Sequence, residues 1–245
     1  MIRNLAAYHF VPIDAPAELV QRLRVYCCDA GILGTVLIAP EGINCFLAAS
    51  AEVIDDLVLW IRRDARFASM PVKLSDSETA PFRRLRVKLK REIITFRRDG
   101  IDPALARAPA VSPTTLARWL AQGHDDAGRV LQLLDTRNAE EVQHGTFEGA
   151  LALPIQCFSE LPDALEAHRE ALQDKTIVSF CTGGVRCEKS ALWMREAGYG
   201  DVLQLDGGIL GYFEQVGGFG YRDRCFVFDE RIALDPQLRP VSPRE

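Results

Sequence analysis

The chain has 245 residues, 48% hydrophobic and 26% charged, with a formal net charge of −5. That length buries a sizeable core and suits one large or two modest domains. No run approaches the roughly 20 apolar residues of a membrane span, and the seven cysteines are too scattered for a secreted disulfide scaffold. The N-terminus, "MIRNLAAYHFVPIDAP", lacks the charged head and apolar middle of a secretory signal, so the cytosol is the expected compartment and reduced thiols the expected state. No structural metal is expected, because neither the cysteines nor His9, His124, His144 and His168 fall in the paired short spacings of a zinc site. The net charge hides an asymmetry: residues 1 to 110 carry 16 Lys/Arg against 13 Asp/Glu, and the remainder 13 against 21. A basic front half points to an anionic partner there.

In chain order, residues 4 to 13 read as a strand and Ala17 to Ala30 as an amphipathic helix ending at Gly31. Thr35 to Ala39 and Ile43 to Ala48 flank the turn-prone "PEG" as a hairpin-like pair. Within it, Glu41, Gly42 and Asn44 form either a turn facing a second domain or a plain hairpin turn. A helix from Ala51 to Arg63 follows, then strands Val72 to Asp76 and Leu85 to Phe96. This β-α-β-β-α-β order predicts a ferredoxin-like α+β domain over 1–100. The proline- and alanine-rich stretch from Asp99 to Pro113 reads as a connection, with the linker itself placed at 101–111.

A second domain is expected over 112–235, with a tail at 236–245. Ser112 and Pro113 form an N-cap and first-turn pair for a helix from Thr114 to Ala121. The pattern then alternates: strand "RVLQLLDTR", helix Leu161 to Leu172, strand "TIVSF", helix Cys187 to Gly198, strand "DVLQLDGG". Such alternation implies a parallel α/β sheet with helices on its faces.

"FCTGGVRCEKS", Phe180 to Ser190, follows a buried strand and leads into a helix, which places Cys181 where open α/β sheets hold their ligands. Gly183 and Gly184 let successive backbone N–H groups turn inward as an anion nest; the helix N-terminus and Arg186 add positive charge. The Cys181 thiol is therefore expected to ionise below its ordinary value and to act as a nucleophile open to solvent. Cys187 could resolve an oxidised Cys181 or simply pack in the first helical turn. Only Thr182 to Val185 separate Cys181 from Arg186, a tighter ring than the phosphoryl-binding loop of cysteine phosphatases and one suited to a persulfide or another small group on sulfur. Cys27, Cys28, Cys45, Cys157 and Cys225 read as small core residues.

In "RRLRVKLKR", Arg84, Arg86, Lys88 and Lys90 share one strand face while Leu85, Val87 and Leu89 share the other. One side is expected to pack; the other is a cationic stripe spanning on the order of 20 Å, long enough to track several RNA phosphates. The competing reading is a solvated edge strand whose cations discourage aggregation.

The Cys181 loop, with "LLDTRNAEE" upstream and "LQLDGGILGYFE" downstream, resembles a rhodanese domain over roughly residues 112 to 221. The resemblance implies that Asp135 and Arg137 are structural residues bordering the site, and that sulfur travels as a cysteine persulfide held by loop N–H groups. Taken together, "GTVLIAPEGIN", "PFRRLRVKLKREII", "CTGGVRCEKS" and "CFVFDERIAL", in that order, resemble the bacterial tRNA uridine hydroxylase family across nearly the whole chain. This implies oxygen-dependent hydroxylation of the wobble uridine at ring carbon five, with Cys181 matching the family's essential cysteine. Molecular oxygen as co-substrate and the tRNA anticodon region as partner are likewise implied. Beyond oxygen no cofactor is legible, since neither facial-triad ligands nor a dinucleotide fingerprint is present. A rhodanese-type sulfurtransferase, fed by thiosulfate or a protein persulfide, is the alternative. Longer family members continue into a cysteine-rich tail, and Cys45 stands where a glycine is common. Oligomeric state leaves no signal in the sequence.

Overall fold

The computed structural model describes residues 1–241, and of the expected tail, residues 242–245 lie outside the described residues. The chain divides into two compact units, Met1–Thr95 and Phe96–Glu245. In the first, β1 (Ile2–Phe10), α1 (Pro16–Asp29), β2 (Leu33–Ala39), β3 (Gly42–Ser50), α2 (Ala51–Arg62), β4 (Val72–Ser77) and β5 (Leu85–Leu89) form a five-stranded sheet in the order β4-β1-β3-β2-β5. The first four strands pair antiparallel, as a ferredoxin-like unit requires, and β5 adds to β2 in parallel.

Strand periodicity decides which face is covered. Val72, Ala7, Cys45, Val36 and Val87 lie in one row across the sheet. They share a core with Leu23 and Cys27 of α1 and Ile54, Leu57 and Ile61 of α2. One register step away the row reads Lys73, Ala6, Phe46, Thr35 and Arg86, so the opposite face is mixed and partly cationic. The strand expected to run to Phe96 stops at Leu89. Beyond it, side chains replace the ladder: Ile93 N–H donates to Glu41 Oε1 at 2.7 Å, and Asn44 Nδ2 donates to Ile93 O at 3.4 Å. Glu41 and Asn44 thus hold the chain after β5, a task that neither reading of the "EGIN" turn anticipated.

In the second unit, β6 (Ala110–Val111), α3 (Pro113–Gln122), β7 (Leu131–Asp135), α4 (Ala139–Val142), β8 (Gly145–Phe147), β9 (Leu151–Ala152), α5 (Leu161–Leu165), α6 (Arg169–Leu172), β10 (Thr176–Phe180), α7 (Val185–Glu196), β11 (Asp201–Leu205) and α8 (Gly208–Val216) precede three short strands. These are β12 (Tyr221–Asp223), β13 (Cys225–Phe226) and β14 (Ala233–Leu234). The main sheet runs β6-β11-β10-β7-β9, every pair parallel. Ser112 Oγ accepts from Thr115 N–H at 3.1 Å, capping α3 as its sequence requires.

Three differences from the sequence expectation stand out. Ala110–Val111, inside the expected linker, is an edge strand beside β11. The helix expected over Leu161 to Leu172 is interrupted by a 3-10 turn at Glu166–His168, where Glu166 and Arg169, three residues apart, pair at 2.8 Å. Finally, "GILGYFEQV" is a helix, α8, and Gly208, expected at the end of a strand, is its first residue. β10, at the centre of the sheet, is buried at all five positions, as a strand covered on both faces should be. Its last residue, Phe180, meets Phe147 edge-on at 5.0 Å, and Phe147 meets Tyr212 and Tyr221 at 4.8 and 5.0 Å. This aromatic cluster anchors the base of the loop that begins at Cys181.

Candidate active site

Cys181 leaves the sheet at the carboxyl end of β10, and α7 begins four residues later at Val185, two residues before the expected start. Gly184 is the N-cap, with φ of 104°, a left-handed backbone that a side chain would strain. Its N–H donates to Cys181 Sγ at 3.1 Å. Gly183 is different: its φ is not positive, and a Cβ there would meet no atom within 4 Å. Only one of the two glycines is therefore demanded by the turn.

The N-terminus of α8 seats the loop from the other side. Ile209 N–H donates to Cys181 O at 2.9 Å and Leu210 N–H to Thr182 O at 3.0 Å. Gly208 makes this approach possible, because a Cβ there would stand 2.5 Å from Cys181 O and 2.8 Å from Gly184 N. On the strand side, Thr136 donates through both N–H and Oγ1 to Phe180 O at 3.0 Å, and Thr136 Oγ1 lies 3.7 Å from Cys187 Sγ.

Arg186 was expected as a cation beside the thiol, but its immediate partner is a carboxylate. Glu141 accepts from both guanidinium nitrogens, at 2.5 and 2.7 Å, and both side chains are buried. Glu141 also accepts from Asn138 N–H at 3.1 Å and Thr182 Oγ1 at 3.4 Å, so one carboxylate ties α4, the loop and α7 together. Burial disfavours the Arg186 charge, and pairing with Glu141 more than offsets that, keeping the guanidinium ionised. Glu141 is the site residue that sequence reasoning missed; its signal was the capping-box spacing of "NAEE", Asn138 to Glu141.

Asp135 and Arg137 form a second buried pair at 2.7 Å. Arg137 Nη2 also donates to Gly145 O at 2.6 Å, and Thr146 Oγ1 donates to Asp135 Oδ2 at 2.7 Å. The pair thereby fastens the end of β7 to β8, and Tyr221 Oη, from β12, donates to the same Gly145 O at 2.9 Å.

Burial by itself would push the Cys181 thiol up. The Cys187 side chain, the Arg186 charge and the backbone N–H groups of Arg186 and Gly184 outweigh it and hold the thiol well below its ordinary range. Cys187 moves the opposite way: burial, reinforced by the neighbouring Cys181, keeps it protonated. Cys187 therefore serves as the hydrogen-bond donor of the pair. Cys225 is pushed up to about 11 by burial.

The expectation of a sulfur open to solvent is not met, because Cys181 is 0% exposed. The enclosure is polar rather than apolar, since N–H groups, a guanidinium and a thiol surround the sulfur. The loop can thus stabilise negative charge on sulfur, and a substrate reaches that sulfur only after the enclosure opens. Among the described residues, no group of three or more His, Cys, Asp or Glu side chains is placed to hold a metal ion, and no helix is long and apolar enough to cross a membrane.

In the first unit, Arg84, Arg86, Lys88 and Lys90 are all exposed, as the cationic stripe requires. The packing face is incomplete: Val87 is buried and Leu85 half-buried, but Leu89 is 51% exposed. β5 is the outer strand, with α1 covering its neighbour Val87 but not its end.

Residues 2–93 match the family described as UPF0176 acylphosphatase like domain, and residues 114–215 match the rhodanese-like domain. The chain is 59% identical to the tRNA uridine(34) hydroxylase of Xanthomonas campestris pv. campestris (strain 8004), over 98% of this chain and 95% of that protein. It is 56% identical to the protein of the same name from Xylella fastidiosa (strain 9a5c), over 99% of this chain and 94% of that one. Among solved structures, the rhodanese-like domain of an Anabaena sp. protein is 18% identical, with a TM-score of 0.39, covering 56% of this chain and 88% of that one. At such identity over almost the full length, with both constituent domains in order, the chain belongs to the tRNA uridine(34) hydroxylase family of enzymes.

Proposed function

We propose that this protein hydroxylates uridine 34 of tRNA at ring carbon five, with molecular oxygen as co-substrate and Cys181 as the nucleophile. Full-length likeness to relatives bearing that name supports the substrate. The observation that carries the chemical role is the cradle around Cys181, where Gly184 N–H, Arg186 and Cys187 favour the thiolate. A thiolate adds to carbon six of a uracil ring, and the displaced electron pair lets carbon five attack oxygen; one oxygen atom stays on carbon five as the hydroxyl, and the other leaves as water with two electrons from an external thiol reductant. Expulsion of the thiolate after carbon five loses its proton restores the aromatic ring and frees the enzyme. Arg186 and the loop N–H groups stabilise the sulfur anion at both ends of this cycle, while Cys187 holds its own proton throughout. Asp135, Arg137 and Glu141 position the loop. On this reading the enzyme works in the cytoplasm, where its tRNA is.

Arg84, Arg86, Lys88 and Lys90 are the RNA-binding residues of this reading, their exposed side chains forming a cationic stripe on the outer strand. Nucleoside mass spectrometry of tRNA from cells lacking the protein, complemented with wild type or Cys181→Ser, tests the proposal. Hydroxylated uridine restored by wild type alone is the expected result. Restoration by Cys181→Ser would overturn the role of the sulfur, and unchanged modification in the deletion strain would overturn the substrate. Rapid thiosulfate-to-cyanide turnover without any effect on tRNA would mark a sulfurtransferase instead.

A further inference from the structure

A groove of about 420 Å³ lies in the first unit between α1 and the outer edge of β5. Val20 and Val87 line it together with Gln21 and Arg24 from the helix and Lys88, Leu89 and Lys90 from the strand. Gln21 and Arg24 stand three residues apart and so share one stripe of α1. The Arg24 guanidinium donates to Val87 O at 2.9 Å, which fixes that cation at the groove. The same bond reports how the strand edge faces. Lys90 N–H donates to Ile38 O at 2.7 Å, so even-numbered backbone groups of β5 turn to β2. Odd-numbered groups, those of Val87 and Leu89, turn to the groove.

The groove therefore combines the Arg24 cation on its helical wall, two outward-turned N–H groups and an apolar side chain, Leu89, that is 51% exposed, while the Lys88 and Lys90 side chains leave the opposite face of the strand at the same edge. No carboxylate is among the described residues that line it. A polyanion with an apolar surface between its charges matches this set, and the cations of the stripe continue along the same strand. A hydrophobic peptide adding to the open edge would leave Arg24, Lys88 and Lys90 without counter-charge.

We propose that this groove binds the sugar–phosphate backbone of RNA, with Arg24, Lys88 and Lys90 neutralising successive phosphates, the backbone N–H groups of Val87 and Leu89 donating to phosphate oxygens, and the Leu89 side chain lying against ribose. This rests on the reading of the protein as a tRNA enzyme and extends its RNA surface from the strand face round the sheet edge onto α1.

The test is fluorescence anisotropy of full-length protein with a labelled tRNA anticodon stem–loop between 50 and 200 mM salt, for wild type, Arg24→Ala, Lys90→Ala, their double variant and Gln21→Glu. Each single change should weaken binding at 100 mM salt about tenfold and lower the log–log salt slope by about 0.9, with the double variant showing the sum. Because Arg24 also bonds Val87 O, Gln21→Glu, on the groove wall and outside the cationic stripe, carries the result if Arg24→Ala lowers the melting temperature. Wild-type affinity and slope in Gln21→Glu would overturn the groove. Poly-glutamate competing as well as RNA at equal charge would overturn it in favour of an acidic protein partner. Nucleoside analysis with Cys181→Ser tests the parent reading separately, so uridine 34 chemistry can fail while RNA binding in the groove stands, and the reverse.

Discussion

Cys45 and Cys181 are both 0% exposed, one at the centre of the mixed sheet and one at the end of a parallel strand, yet their thiols move in opposite directions. Cys45 sits on β3 with Leu47 and Ile43 on the same face, and burial, with a smaller contribution from Cys27, pushes it up to about 12. Its polar contact among the described residues, Sγ to Ala7 O at 3.4 Å, is too weak to offset burial. Cys181 is just as far from water, but every neighbour that matters donates or carries positive charge. Burial thus sets the stakes of ionisation and the sign of the surrounding dipoles decides its direction. A central strand of a sheet spends its N–H groups on the ladder, whereas a strand end followed by a left-handed glycine has N–H groups to turn towards a sulfur.

The sharpest way to break the comparison is to alter the sulfur itself: Cys181→Ser should abolish uridine hydroxylation, whereas Cys45→Ser should retain turnover with a stability loss of about 1–3 kcal/mol read by denaturant melting. Gly208→Ala comes next. Its Cβ would enter within 2.5 Å of Cys181 O at a residue whose φ is 62°. Activity should fall by about a hundredfold or more, and the thiol should lose its low-pH reactivity as the loop shifts. Glu141→Gln leaves a buried Arg186 charge without its counter-ion. It should cost about 3–5 kcal/mol, a drop in melting temperature on the order of 10 °C.

Reactivity against pH sharpens the contrast without mutation. An ordinary thiol loses about tenfold in alkylation rate per pH unit below roughly 8.5. Because its thiol is held low, Cys181 should alkylate at a slow, opening-limited rate that is flat from pH 6.5 to 8.5 by peptide mass spectrometry. Cys45 should stay unmodified until the protein unfolds, whereas Cys28 and Cys157, expected in the core, are exposed. A tenfold-per-unit slope for Cys181 would end the account of its activation. The smallest effect belongs to Gly183→Ala, which meets open space at an ordinary φ and should change stability by less than about 0.5 kcal/mol.

Much of the architecture was legible because it rests on short-range periodicity. Alternating apolar positions placed β1 to β4, and the pattern of "TIVSF" placed β10 and with it the position of Cys181. Features that depend on distant partners were not. The end of β5 at Leu89 follows from Glu41 and Asn44 capturing Ile93, residues separated from it by 52 and 49 positions. Helix α8 was hidden because Gly207 and Gly208, both left-handed, read locally as the close of a strand, while their role is to bring a helix N-terminus against the Cys181 loop.

By itself, the amino-acid sequence determined the two-part order of strands and helices, the glycine turn after Cys181 and the cationic alternation of β5, since each is written in residues that are neighbours along the chain. Long-range packing set that Arg186 would be answered by Glu141 and that Leu89 would stand in water beside a groove. It likewise decided that the reactive sulfur would be enclosed. Such outcomes come from packing between segments tens of residues apart, where charge must find counter-charge and buried N–H groups must find acceptors, and no local pattern encodes which distant group will arrive.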